Sequence, residues 1–193
     1  YTAYMSGALY SGYLTLCPDI QTDLVYAVQG NTNTYGTLWQ WDIRSTSPEI
    51  EGIYAALYRV IGRCNFYLDK VGALRESLTD DDEIRYLDYY TGEVYCARAL
   101  AYSELLKCFC KAYDPATAAE ELGVVLADTY FGEKPAVRAS LYDSYQFVIS
   151  DLEMAEKMLD LADLLLRSVP VFSLGCNMDP EAASVAYNGI ERL

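Results

Sequence analysis

The sequence holds no histidine. That absence removes Ser-His and Cys-His nucleophile pairs, imidazole-ligated zinc, and the side chain that titrates nearest neutral pH. Basic residues are scarce: 14 Lys and Arg stand against 28 Asp and Glu, a formal net charge of −14. They are scattered, with no basic stripe, whereas a binder of phosphate backbones concentrates them. Nucleic acid is therefore not an expected partner, and an anionic membrane surface would repel the chain. No apolar run approaches the ~20 residues of a membrane-spanning helix. None of the six cysteines (Cys17, Cys64, Cys96, Cys108, Cys110, Cys176) forms a Cys-x-x-Cys pair, so neither a zinc knuckle nor a thioredoxin-like site is supported. We expect free thiols, with Cys64, Cys96 and Cys108 packing as small apolar side chains in helices. There is no phosphate-cradling glycine loop, nucleophile elbow or metal-ligand spacing. Hence no catalytic residue, metal or cofactor is expected.

What is present is an ordinary globular composition, 52% apolar and 22% charged over 193 residues, enough for one domain with a core. Apolar residues at helical spacing predict a first helix from Thr2 to about Leu16, ending before Pro18. Residues 17–47 read as irregular, broken by Gly30, Asn31, Asn33, Gly36 and the Ser45–Ser47 run. Ser47-Pro48 reads as a cap followed by proline in the first turn, opening a helix whose buried face is Ile53, Leu57, Val60, Cys64, Leu68 and Val71. Asn65 borders that face as a buried amide bonding a neighbouring helix end. Thr79 with Asp82 predicts the next start, and Asp114-Pro115 the stop near Tyr113, with an interruption allowed at Gly92. Ser140 with Asp143 caps a further helix whose stripe is Leu141, Tyr145, Val148, Ile149, Leu152, Ala155 and Leu159. Asp179-Pro180 opens a last one, with Ala182, Ala183, Ala186, Ile190 and Leu193 on one face. The sum is an all-α fold of stacked helical pairs with long irregular loops.

The acid clusters (Asp80 to Glu83, Glu120-Glu121, Glu153 with Glu156) sit at helix starts and on solvated faces, where carboxylates favour the helix dipole. A glycosidase needs two carboxylates converging across a cleft, and nothing in these clusters points to that. The segment 30–42, GNTNTYGTLWQWD, is different: it holds both tryptophans, Trp39 and Trp41, with Tyr35, Asn31, Asn33 and Gln40. An aromatic ring stacks on the apolar C–H face of a sugar, while amides and carboxylates bond its hydroxyl rim. The competing reading folds both indoles inward over the helices. The 114–139 excursion is long for a helix–helix connection, which suits binding or docking, and Arg138 is expected to bond helix-end carbonyls or an acid.

Several elements recur in a definite order: Ile53-Tyr54, Ile61 and Asn65, then Gly92-Glu93, Ala97-Arg98-Ala99, Tyr102 and Leu105. Gly123-Val124, Arg138-Ala139-Ser140, Tyr145, and Asp151-Leu152 with Ala155 follow. This order resembles the SusD/RagB family of outer-membrane glycan-binding lipoproteins, loosely from Tyr1 and well from Glu49 to Leu159. The family's usual Gly-Val-Pro-Leu reads here with Val125 in the proline's place. The resemblance implies tetratricopeptide-like stacking of antiparallel helix pairs, with residues 1–193 forming a single domain like the helical N-terminal part of longer members. An apolar flank left by such a piece would drive oligomerisation. The resemblance further implies non-catalytic oligosaccharide binding, with delivery to a SusC-like TonB-dependent transporter, on a protein lipid-anchored at the cell surface. Trp39, Trp41, Tyr35 and Asn33 are then the candidate glycan contacts. The alternatives are a helical scaffold that docks the transporter without binding sugar and, more remotely, an all-α glycosidase.

Overall fold

The computed structural model describes residues 2–22, 25–26, 28, 30, 32–133 and 137–158. Five helices form: α1 (Tyr13–Ile20), α2 (Gly36–Trp39), α3 (Pro48–Ser77), α4 (Asp81–Phe109) and α5 (Leu141–Met158). No strand occurs among the described residues, only an isolated bridge between Leu122 and Ser140. The fold is all-α, as expected. These elements belong to one unit, Tyr1–Asp160. The helix expected from Asp179, with Leu159 and Cys176, lies outside the described residues.

Side-chain partners show how the three long helices run. Between α3 and α4 the contacts pair Tyr54 with Phe109, Tyr58 with Tyr102, Asn65 with Arg98, Tyr67 with Thr91, and Arg75 with Asp88. One number rises as the other falls, so the helices are antiparallel, joined by the short turn at 78–80. Between α4 and α5, Arg98 meets Asp151 and Tyr102 meets Phe147, again antiparallel. Ala99 and Ala101 on α4 are almost fully buried, and small residues there let the neighbouring axes approach closely. The core is Leu57, Ile61, Tyr102, Leu105 and Leu141, with Leu9 and Leu38 sealing one end.

Several expectations need correction. Residues 2–12 form consecutive turns, and the first helix is Tyr13–Ile20 with Pro18 inside it. Tyr13 N–H bonds the Gly7 carbonyl at 2.9 Å, and a methyl at Gly12 would lie 1.9 Å from that oxygen, so the glycine pair enforces a turn there. The turns are docked by Tyr4, whose hydroxyl donates to the Ala97 carbonyl, and by Tyr10, which donates to Glu104 at 2.9 Å. Pro48 does open α3, but the Ser47 hydroxyl accepts from Arg44 N–H at 3.1 Å and makes no cap bond. Asp80, not Thr79, caps α4, its carboxylate accepting from Asp82 and Glu83 N–H. That helix passes Gly92 unbroken and ends at Phe109, because Cys110 turns extended. The Ser140–Asp143 box forms as expected: Asp143 N–H donates to the Ser140 hydroxyl at 3.0 Å, which donates to the Asp143 carboxylate at 2.7 Å. The face of α5 is rotated from the expected stripe: Ser144 and Asp151 are buried, while Ile149 and Leu152 are exposed.

Among the described residues of the connection 110–140, the backbone is largely irregular but hydrogen-bonded to side chains of α3 and α4. Its backbone lies against α3 and α4, whose side chains stand where a partner strand would. The Tyr58 hydroxyl donates to the Val125 carbonyl (2.9 Å) and accepts from its N–H (3.1 Å). Tyr102 does the same for Ala127 at 3.0 and 2.8 Å, and Asn65 adds a donor to the Ala127 carbonyl at 2.7 Å. Buried backbone groups must find partners, and here tyrosines supply them. Arg138 closes the segment, donating to the carbonyls of Gly123 (2.5 Å), Phe109 (3.1 Å) and Leu122 (3.2 Å), the helix-end role expected of it.

Candidate binding site

The loop before α3 is built around Leu38, which is fully buried and pins the single turn of α2 to the core. Tyr35 occupies the residue before that turn in the left-handed conformation (φ 61°), with its ring edge-on to Tyr13 at 6.2 Å between centroids. Asn33 (φ 57°) and Trp41 (φ 58°) are also left-handed. Each such non-glycine residue costs on the order of 1–2 kcal/mol, so the loop keeps a shape its local preferences would not choose. The arrangement turns Trp39 and Trp41 outward, 48% and 68% exposed. Neither indole ring has an aromatic, cation–π or hydrogen-bond partner among the described residues.

Polar groups flank the indoles. Arg44 forms a two-pronged pair with Asp42 at 2.9 and 3.1 Å, fixing the carboxylate that follows Trp41 in the chain, and Gln40, between the two tryptophans in sequence, is exposed. Of the four candidates, Trp39 and Trp41 are thus the two whose rings stand exposed on this turn. Tyr35 is half-buried against the core and anchors the loop. Asn33 folds over Gly36, where an added methyl would lie 2.1 Å from its Oδ1, so its amide shapes the turn. The exposed residues of this segment include flat apolar rings, an amide and a carboxylate, the two chemistries a sugar ring presents surfaces for.

Three members of the acid clusters have structural roles. Asp80 caps α4, Asp82 pairs with Arg85 at 3.2 Å, and Glu121 pairs with Lys111 at 2.7 Å. No group of three or more metal-ligating side chains occurs among the described residues. Nor is any helix there long and apolar enough to cross a membrane. Cys17 and Cys64 are buried free thiols whose pKa burial pushes up to about 11. Cys96 and Cys108 are exposed, against the expectation that they pack inside, because they lie on the outer face of α4.

Two constellations have no counterpart in the reading of the sequence. The first is buried: Arg98 makes a two-pronged pair with Asp151 (2.6 and 2.8 Å) and donates to Asn65 Oδ1 at 2.7 Å, tying α3, α4 and α5 together. The second is on the surface, where Phe66 meets Tyr130 and Phe131 with centroids 5.3 and 5.7 Å apart. Near it helical periodicity aligns Arg59, Arg63 and Lys70 on the outer face of α3, so the cations are not as scattered as the linear sequence implies. The spacing of four, three and four residues from Arg59 through Phe66 to Lys70 is a signal available in the sequence.

Comparison with known proteins identifies the family. Residues 13–165 match a SusD-like family described as starch-binding and associating with the outer membrane. The chain belongs to the SusD-like family. A solved structure from Bacteroides vulgatus, described as that of a sugar-binding protein, is similar with a TM-score of 0.69 and 27% identity, over 83% of this chain and 35% of that one. A SusD superfamily protein from Bacteroides thetaiotaomicron shares the fold with a TM-score of 0.66 at 18% identity, over 81% of this chain and 34% of its own. The chain thus spans about a third of the length of each. No curated protein matches it.

Proposed function

We propose that the protein holds an oligosaccharide against Trp39 and Trp41 and passes it, chemically unchanged, to a SusC-like TonB-dependent transporter at the outer-membrane surface, where a lipid anchor tethers it. The observation that carries this reading is the pair of exposed, partnerless indoles on a turn held in shape by Leu38, Tyr35 and three left-handed residues. Exposed aromatic surface that packing does not require is a mark of binding sites. Membership of a family described as starch-binding, and likeness to a protein described as sugar-binding, favour a glycan as the ligand. Gln40 and Asp42 supply hydrogen bonds at the rim, and Asn33 and Tyr35 keep the turn in place. Binding is strongest for chains long enough to cover both rings.

Electrophoresis through native gels containing soluble polysaccharides, an amylose-type glucan among them, tests the reading. Retarded migration in at least one gel, restored to the reference rate by Trp41→Ala, is the expected result. Uniform mobility across a broad panel contradicts it.

A further inference from the structure

The outer face of α3 carries Arg59, Arg63, Phe66 and Lys70 in steps of four, three and four residues, all exposed. At ~1.5 Å rise per residue the stripe is roughly 16 Å long, in a chain with 28 acids and 14 bases, and the carboxylate that borders it, Asp69, accepts hydrogen bonds from the 129–131 turn. Arg59 and Arg63 have no ion-pair partner among the described residues. Beside Phe66 stand Tyr130 and Phe131, whose rings meet each other at 5.1 Å; the three aromatics are 48%, 48% and 60% exposed. This platform is rigid. Asp69 Oδ2 accepts from the Thr129 hydroxyl (3.0 Å) and from the N–H groups of Tyr130 (2.8 Å) and Phe131 (3.2 Å), which fixes the turn that sets both rings on Phe66. Lys70 Nζ lies over the Phe131 ring at 4.6 Å, so a cation and an aromatic face are already combined.

We infer that this stripe is a second carbohydrate site, and that its ligand is an anionic glycan bearing uronate or sulfate groups. The carbohydrate class rests on the glycan-binding reading above; the anionic character rests on the stripe alone. Guanidinium groups recognise carboxylate and sulfate oxygens through paired N–H donors, and Arg59 and Arg63, one turn apart, offer two such forks. The aromatic platform takes the apolar face of a sugar ring beside them. The net charge of −14 opposes any polyanion away from the stripe, and the aromatic platform beside the two guanidinium groups suits the apolar face of a sugar ring. The site begins eleven residues into α3, whereas the tryptophan loop precedes that helix, so one long chain or two separate ones could occupy them.

The test is calorimetric titration of the full chain with galacturonate oligomers and their methyl-esterified neutral forms, sulfated and unsulfated malto-oligosaccharides, and single-stranded DNA. At low salt at least one anionic oligosaccharide binds about tenfold tighter than its neutral form, and the preference fades at high salt. The double variant Arg59→Ser, Arg63→Ser abolishes the preference with unchanged helicity by circular dichroism, while Trp41→Ala leaves it intact. No preference for any anionic member, a preference that survives the double variant, or tightest binding to DNA overturns the inference. Neutral binding lost in Trp41→Ala without anionic preference sinks this site and spares the tryptophan loop. Anionic preference lost in the double variant, with no effect of Trp41→Ala on any ligand, does the reverse.

Discussion

At the scale of single residues, the buried Arg98–Asp151 pair carries the largest consequence. Its side chains are 7% and 5% exposed, and Asn65 Oδ1 accepts a further guanidinium N–H from Nη1. Burial opposes the charge on Arg98, but the bonds to Asp151 outweigh it and hold the guanidinium pKa above its ordinary value. Asp151→Ala leaves that charge buried without its partner and should cost about 3–5 kcal/mol in urea unfolding, whereas Arg98→Met with Asp151→Leu should cost much less than the single change. Thiol chemistry gives a second check. Maleimide labelling mapped by mass spectrometry should modify Cys96 in the native protein and reach Cys17 and Cys64 only on unfolding, since those two are buried with pKa values of about 11. What the sequence reveals at this scale is local. The Ser140–Asp143 box and the carbonyl-binding role of Arg138 depend on neighbours in the chain or on unsatisfied helix ends. Burial of Asp151 depends on a partner 53 residues away, so a polar residue on α5 reads as solvated and the apolar stripe is placed one face over.

Among the elements, the 110–140 connection shows why loops are read less well than helices. Its length marks it as unusual, but its path is set by Tyr58, Tyr102, Asn65 and Asp69 on two other elements. No pattern within the segment encodes those partners. The tyrosines make the element sensitive to alkali. Burial pushes the Tyr102 phenol up to about 12, against the bond from Ala127, and burial with Glu104 puts Tyr10 at about 12. Burial likewise raises Tyr4 and Tyr58. A phenol kept neutral in the fold but free to ionise when unfolded contributes fully below its ordinary pKa of 10.0 and loses that contribution as pH rises through the folded value. Thermal melts should therefore hold steady from pH 8 to about 10 and fall steeply toward pH 12. Tyr102→Phe removes both bonds to Ala127 and should lower stability at neutral pH by about 1–3 kcal/mol, read from chemical denaturation.

For the molecule as a whole, helical periodicity and cap chemistry suffice for the class of fold, because α3, α4 and α5 are long, amphipathic and locally punctuated. They do not suffice for the N-terminal turns, where a Gly7–Gly12 contact overrides the apolar spacing. The candidate site was legible as a composition, Trp-Gln-Trp among amides. Which of its residues face outward was not, since that follows from Leu38 burying itself and from three left-handed residues. Because Trp39 and Trp41 leave the core intact, alanine at either should change stability by less than about 0.5 kcal/mol, a test of whether the indoles are there for packing at all. The direct measurement is tryptophan fluorescence during titration with soluble oligosaccharides. Saturable quenching or a spectral shift with at least one glycan is expected, with Trp39→Ala and Trp41→Ala each weakening binding about tenfold or more at unchanged helicity. A flat response across the panel, or full affinity in both variants, would contradict glycan binding by this loop.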